Sequence, residues 1–149
     1  MKVTQLTSTI SIADAVYPQD MASIQVAGFQ SVLCLRQAGE ADDHPNAAAQ
    51  AEMAKTLGLA WQEIPVKSGD YNDLVLGQFQ QALAELPQPL FIFCRTGRRA
   101  ISLWAHHLAA SGECQLDKLV AEAQQLGFDL SDQIPHLTQR LLQSKSSSI

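Results

Sequence analysis

Between Pro89 and Ile101 the chain reads Leu-Phe-Ile-Phe-Cys-Arg-Thr-Gly-Arg-Arg-Ala, and few folds accept that order. Leu90–Phe93 is a wholly apolar run fenced by Pro87 and Pro89, the pattern of a strand buried on both faces. Cys94 follows at once. Then comes Gly97, set among Arg95, Arg98 and Arg99, and helical periodicity opens at Ile101. A buried strand that enters a helix through so tight a loop turns its backbone N–H groups inward. The helix N-terminus adds partial positive charge. The stretch therefore reads as an anion cradle. Cys94 is its candidate nucleophile, because helix N-termini and neighbouring arginines favour the thiolate.

The rest of the chain supplies strands and helices in alternation. Thr4–Thr7 and Thr9–Ile12 are short β-type runs, and Pro18–Ala27 reads as a helix opened by proline and closed by Gly28. Ser31–Leu35 is a compact buried strand. A polar loop from Arg36 to Pro45 leads to an alanine-rich helix, Asn46–Leu57, stopped by Gly58. Ala60–Val66 is the next strand, and Lys67–Asn72 a turn-rich loop. Asp73 stands where an N-cap belongs, ahead of a helix over Leu74–Leu86. After the Cys94 loop a helix spans roughly Arg99–Ala110, and two more cover about Leu116–Leu126 and Asp132–Leu142. The expected fold class is α/β, with a mostly parallel central sheet flanked by helices and the Cys loop between a central strand and a helix. In such sheets ligands sit beyond the carboxyl ends of the strands. One domain over residues 1–143 is expected, with 116–143 as a C-terminal helical appendage and 144–149 as a disordered tail.

Composition narrows the partners. The formal net charge is −5 and the arginines concentrate at the loop, so no broad basic face suits nucleic acid or an anionic membrane. No run is long enough to span a bilayer, and the N-terminus lacks the apolar core of a secretory signal, which makes the cytoplasm the default location. Cys34, Cys94 and Cys114 are odd in number and lack metal-type spacing, so neither a disulfide framework nor a metal site is expected. No organic cofactor is implied. Cys34 ends a strand and reads as core, the alternative being a resolving thiol for Cys94. His106 and His107 read as exposed helix residues.

Cys94-Arg95-Thr96-Gly97-x-Arg99, following a hydrophobic strand and opening a helix with Leu103-Trp104-Ala105, resembles the beta-lactamase-hydrolase-like protein, phosphatase-like family, a bacterial branch of the protein-tyrosine-phosphatase-like fold. Leu35-Arg36-Gln37-Ala38-Gly39-Glu40 resembles that family's Leu-Arg-x-x-Gly-Glu loop. Gly58-Leu59-Ala60 with Ile64-Pro65-Val66 resembles its next strand, and Gly127-Phe128-Asp129-Leu130 its C-terminal segment. The resemblance implies a phosphatase-like fold, Cys94 as nucleophile and Arg99 as the anion-binding arginine.

Three chemistries follow. In the first, Cys94 attacks phosphorus, Arg99 forks onto two nonbridging oxygens, and Arg95, Thr96, Gly97 and Arg98 complete the substrate-binding loop. A phosphocysteine forms and water hydrolyses it. The general acid would come from another loop, with Asp70 favoured and Asp73, Asp42 and Asp43 as competitors. In the second, Cys94 carries a persulfide as in rhodanese-type sulfurtransferases. Many of those share the four-residue spacing between Cys94 and Arg99, one residue shorter than in tyrosine phosphatases. In the third, the loop binds an anion with little turnover. The partner is accordingly a phosphorylated or sulfur-donor anion, and the oligomeric state stays open.

Overall fold

The computed structural model describes residues 1–41, 46–112 and 114–147. Asp42, Asp43 and His44 of the polar loop lie outside the described residues. The chain forms two compact units that divide after Ala100.

In the first unit, β1 (Val3–Gln5), β2 (Ile10–Ala13), β3 (Ser31–Cys34), β4 (Ala60–Glu63) and β5 (Leu90–Phe93) form one sheet in the order β1-β2-β5-β3-β4. Only the β1–β2 pair is antiparallel; β2–β5, β5–β3 and β3–β4 are parallel. Parallel neighbours need crossovers. The connections carry α1 (Met21–Val26, entered through a 3-10 turn at Pro18–Asp20), α2 (Ala47–Thr56) and α3 (Asp73–Glu85). This is the α/β arrangement that the strand–helix alternation predicts.

β5 sits in the middle because it is the most apolar strand. All four of its residues are buried. Phe91 stands between Ser11 and Val32, and Phe93 between Ala13 and Cys34. Val32, Cys34, Phe91 and Phe93 share one face and cluster with Ala13, Val16, Met21, Ile24 and Ala54, with Phe29, Leu57 and Trp61 at the rim. Phe29 meets Phe91 edge to face, 5.1 Å between ring centres. Full burial of each phenylalanine contributes about 1.5–3 kcal/mol. The exposed edge strand β1 is short, which blunts its unpaired backbone groups.

Parallel strands end together, so the loops after β2, β3, β4 and β5 collect at one edge of the sheet. Backbone bonds tie those loops to each other. Cys94 N–H donates to Ala13 O (3.3 Å), Leu35 N–H to Phe93 O (2.9 Å), Val66 N–H to Leu35 O (3.1 Å) and Ala15 N–H to Arg95 O (3.1 Å).

The helix starts refine the sequence reading. Asn46 caps α2, its Oδ1 accepting the N–H groups of Ala48 (2.9 Å) and Ala49 (3.2 Å). At α3 the cap is Asn72, not Asp73: Asn72 Oδ1 accepts Val75 N–H at 2.9 Å. Asn72 has the extended backbone a cap requires (φ −76°, ψ 172°). Asp73 is the first helical residue, where its charge still complements the dipole.

α4 (Arg98–Ser111) begins in the first unit and continues into the second, which also holds α5 (Leu116–Gln125), a 3-10 turn at Ser131–Gln133 and α6 (Ile134–Ser147). The second unit thus begins at Ile101, well before the appendage expected at 116. Residues 144–147 of the expected tail belong to the last turns of α6, where Ser144 Oγ donates to Leu141 O at 2.6 Å. Serine lowers helix propensity by only a few tenths of a kcal/mol, so the Ser-rich composition does not by itself end the helix. Among the described residues no helix is long and apolar enough to cross a membrane.

The second unit is held by a buried polar network. His106 is fully buried, contrary to its reading as an exposed helix residue. Arg140 Nε donates to His106 Nδ1 at 2.9 Å, so the imidazole proton resides on Nε2 and is directed at Gln133 Oε1, 3.0 Å away. Gln133 Nε2 donates in turn to Ser102 Oγ at 2.9 Å. Burial lowers the His106 pKa from 6.5 to about 4, the Arg140 charge adding to burial and the Gln133 bond opposing it. Because the folded value lies below the unfolded one, the unfolded chain binds the proton first as pH falls. Stability from this residue is complete above pH 6.5 and lost progressively toward about pH 4. An NMR titration should give His106 a midpoint near 4; an ordinary midpoint of 6.5 would mean that the network does not hold in solution.

Candidate active site

The site grows from β5. Phe93 faces the core cluster, and Cys94 continues the strand into the loop with no solvent exposure. Gly97 adopts φ +91°, a left-handed conformation that a side chain would strain. That turn brings the Gly97 N–H onto Cys94 Sγ at 3.1 Å. Thr96 Oγ1 accepts Arg98 N–H at 3.3 Å, satisfying one of the N–H groups left open at the start of α4.

Arg99 is 6% exposed, and its guanidinium is fixed by groups from two other loops. Nη1 donates to Glu40 Oε1 (3.1 Å), to Val66 O (2.9 Å) and, at 3.4 Å, to Leu35 O. Nη2 donates to Glu40 Oε2 at 2.6 Å. Glu40 therefore takes the Nη1–Nη2 edge as a bidentate fork. A guanidinium carries more donors than these, and Nε–H and the second Nη2 hydrogen have no partner among the described residues. That remaining edge has the geometry to bind two oxygens of an oxyanion.

Glu40 is itself held by its own loop. Gln37 N–H donates to Oε1 at 2.7 Å, and Arg36 Nε lies 3.5 Å from the same oxygen. Burial works to raise the Glu40 carboxyl pKa, but the hydrogen bonds and charge of Arg99, the Gln37 N–H and the Arg36 charge together hold it below the usual carboxylate range. The Arg99 guanidinium is correspondingly held above its usual value. Burial opposes this and is outweighed by the Glu40 bonds and by the Cys94, Glu40 and Tyr71 charges.

A cavity of about 250 Å³ opens over the loop. It is lined by Arg95, Thr96, Arg98 and Arg99 of the loop and by Gln37, Glu40 and Ser68. The structure thus gathers Arg95, Thr96, Arg98 and Arg99 from the sequence-derived set around one cavity, while Gly97 bonds the Cys94 sulfur. Asp70 is exposed. Its Oδ1 accepts from Asn72 Nδ2 at 3.2 Å, and of its loop it is Ser68 that reaches the cavity. Asp73 is exposed on α3. Cys34 packs in the Phe91–Phe93 cluster, and burial pushes its thiol up to about 11. That is the core position expected of it. Sequence reasoning missed the role of Glu40, although the residue lay in plain view at the end of Leu35-Arg36-Gln37-Ala38-Gly39-Glu40.

Residues 2–112 match the family described as beta-lactamase hydrolase-like protein, phosphatase-like domain. The Beta-lactamase hydrolase-like protein of Xylella fastidiosa (strain Temecula1) is 25% identical over 144 residues, covering 97% of this chain and 33% of that protein. The chain thus spans about a third of the length of the curated relatives it matches. Among solved structures, a candidate phosphatase from Neisseria meningitidis Z2491 superposes with a TM-score of 0.81 at 24% identity, over 91% of this chain and 96% of that one. The core catalytic domain of the PP-IP phosphatase SIW14 from S. cerevisiae gives 0.66 at 14%, over 85% and 76%. The fold is the protein-tyrosine-phosphatase-like one.

Removing the Glu40 carboxylate leaves buried guanidinium charge uncompensated. Glu40→Ala should cost about 3–5 kcal/mol in urea unfolding, and Glu40→Gln, which keeps one acceptor, should cost less. The folded Glu40 pKa is depressed, so its contribution is present above its unfolded pKa and lost as pH falls through the folded value. The gap in stability between wild type and Glu40→Gln should therefore close on acidification. A gap that does not change with pH would contradict the ion pair.

Proposed function

The chain belongs to the beta-lactamase hydrolase-like protein, phosphatase-like domain family, and on that premise we propose that it hydrolyses phosphoesters through a Cys94 phosphocysteine. The observation that carries this reading is the pairing of the Gly97 N–H on Cys94 Sγ with the open Nε–Nη2 edge of Arg99. A nucleophile and a two-donor oxyanion fork on one six-residue stretch suit in-line attack on a tetrahedral anion.

In the proposed reaction the Cys94 thiolate attacks phosphorus. The S–P bond forms and the ester P–O bond breaks, while Arg99 holds two nonbridging oxygens and the loop N–H groups meet the developing charge. Asp70 gives its proton to the departing alkoxide. Its loop is the one that sends Ser68 to the cavity wall. The resulting Asp70 carboxylate then takes a proton from water as that water attacks phosphorus, the S–P bond breaks, and phosphate and the thiolate are released. The substrate is an anionic phosphoester. Arg95 and Arg98 on the cavity wall supply charge to attract it.

Reduced protein should release phosphate from p-nitrophenyl phosphate. Cys94→Ser should lower the rate by more than about 10³-fold, and Arg99→Lys by about 10²-fold through loss of the planar fork. Asp70→Asn should cost about 10²-fold on an alkyl phosphate and much less on the aryl ester, whose leaving group needs little help from an acid. Equal rates for Cys94→Ser and wild type would overturn the reading. So would Cys94-dependent thiocyanate formation from thiosulfate and cyanide in the absence of phosphatase turnover, which would assign the loop to sulfur transfer. An Asp70→Asn variant unaffected on both esters would move the acid to another residue.

A further inference from the structure

Arg36 has no part in the chemistry above, yet it is a charged side chain buried beside it. It opens the loop after β3 and is 3% exposed. None of its three guanidinium nitrogens has a hydrogen-bond partner among the described residues. Its contact with an anion is the ion pair of Nε with Glu40 Oε1, at 3.5 Å. Burying a guanidinium with unfilled donors is strongly unfavourable, and an apolar side chain of similar volume would pack there at lower free energy. A purely structural role therefore accounts poorly for a charge at this position.

The charges around Glu40 suggest what it does. Glu40 and Arg99 alone sum to zero, which would leave the Arg99 fork weakly attractive to an anion. Arg36 reaches the same carboxylate oxygen that Arg99 Nη1 reaches, 3.5 Å and 3.1 Å away respectively. With it the group of three carries one net positive charge. We propose that Arg36 is a positioning residue of the cradle, offsetting the Glu40 charge so that Arg99 remains net attractive to an oxyanion. Its unfilled donors also give Glu40 a second cation to lean on as Arg99 draws toward the ligand. Arg36 acts through Glu40 and does not line the cavity. The inference rests on the oxyanion-binding half of the phosphatase reading, not on turnover.

Calorimetric binding of inorganic phosphate to the full, reduced chain tests it, with thermal melts alongside. Arg36→Met should weaken phosphate binding about tenfold without lowering the melting temperature. Arg36→Lys, which keeps the charge, should stay within about threefold of wild type. Glu40→Gln should rescue Arg36→Met, because the double variant again carries one net positive charge, and its affinity should return to within about threefold of wild type. Unchanged affinity in Arg36→Met, or a double variant as weak as Arg36→Met, overturns the inference, since a packing defect would not be repaired by removing the Glu40 charge. If Arg36→Met does not fold, Arg36→Lys decides: affinity within threefold supports the inference, and a tenfold loss in a stable protein overturns it. Wild-type protein that binds no phosphate removes this inference and the phosphatase reading together. Wild-type binding with no rescue of Arg36→Met by Glu40→Gln removes this inference alone.

Discussion

One guanidinium closes the edge of the sheet. Arg99 reaches from the first turn of α4 to the Leu35 carbonyl after β3, the Val66 carbonyl after β4 and the Glu40 carboxylate. The loops after β3 and β4 are thereby both tied to the start of α4 by one side chain. The arrangement depends on the parallel register: β3, β4 and β5 must end at the same level for a single arginine to span them. It depends equally on Glu40. A buried cation facing only carbonyl oxygens would lack a counter-charge, and the bidentate carboxylate supplies it while fixing the plane of the fork. The same contacts that hold the loops together thus decide which edge of Arg99 is left for a ligand.

The second unit solves a different problem with similar means. Its His106–Gln133–Arg140–Ser102 network is joined by three hydrogen bonds of 2.9–3.0 Å. Fully connected buried networks of this kind stabilise a specific packing, whereas a partly filled one destabilises it. Against that standard the guanidinium of Arg36 is costly, since none of its nitrogens has a hydrogen-bond partner among the described residues. Arg140, by contrast, directs its Nε–H at His106 Nδ1 at 2.9 Å.

What could be read from the sequence was what is local. β5, the turn at Gly97 and the start of α4 are encoded within a dozen consecutive residues, and apolar run, glycine and arginines each point the same way. The strand–helix alternation gave the fold class for the same reason. The role of Glu40 was not legible, because it lies 59 positions from Arg99 and the two meet only once β3 is known to pair with β5. The cap of α3 slipped by one residue because Asn72 and Asp73 are both good capping types, and only the backbone of Asn72 is extended. His106 was misread since burial of a helix position depends on partners such as Gln133 and Arg140 that lie beyond a turn and another helix. Asp70 shares its loop with Ser68, which lines the cavity, but is itself exposed and outside that lining, a distinction that loop membership in the sequence does not carry.

The loop's length bears on how such a site works. With four residues between Cys94 and Arg99, few N–H groups are available to converge, and the one that bonds the sulfur is that of Gly97. A cradle with fewer backbone dipoles must draw more of its attraction from side-chain charge. The residues around it are consistent with that requirement. Arg95 and Arg98 stand on the cavity wall beside Arg99, and Arg36 lies behind Glu40's ion pair within an otherwise acidic chain. Side-chain charge is screened by salt where it is exposed and persists where it is buried. The exposed Arg95 suits long-range capture of an anion, and the buried Arg99 its final orientation. In the proposed phosphatase reading, capture and orientation are then separable tasks of one short loop, set by how deeply each arginine lies.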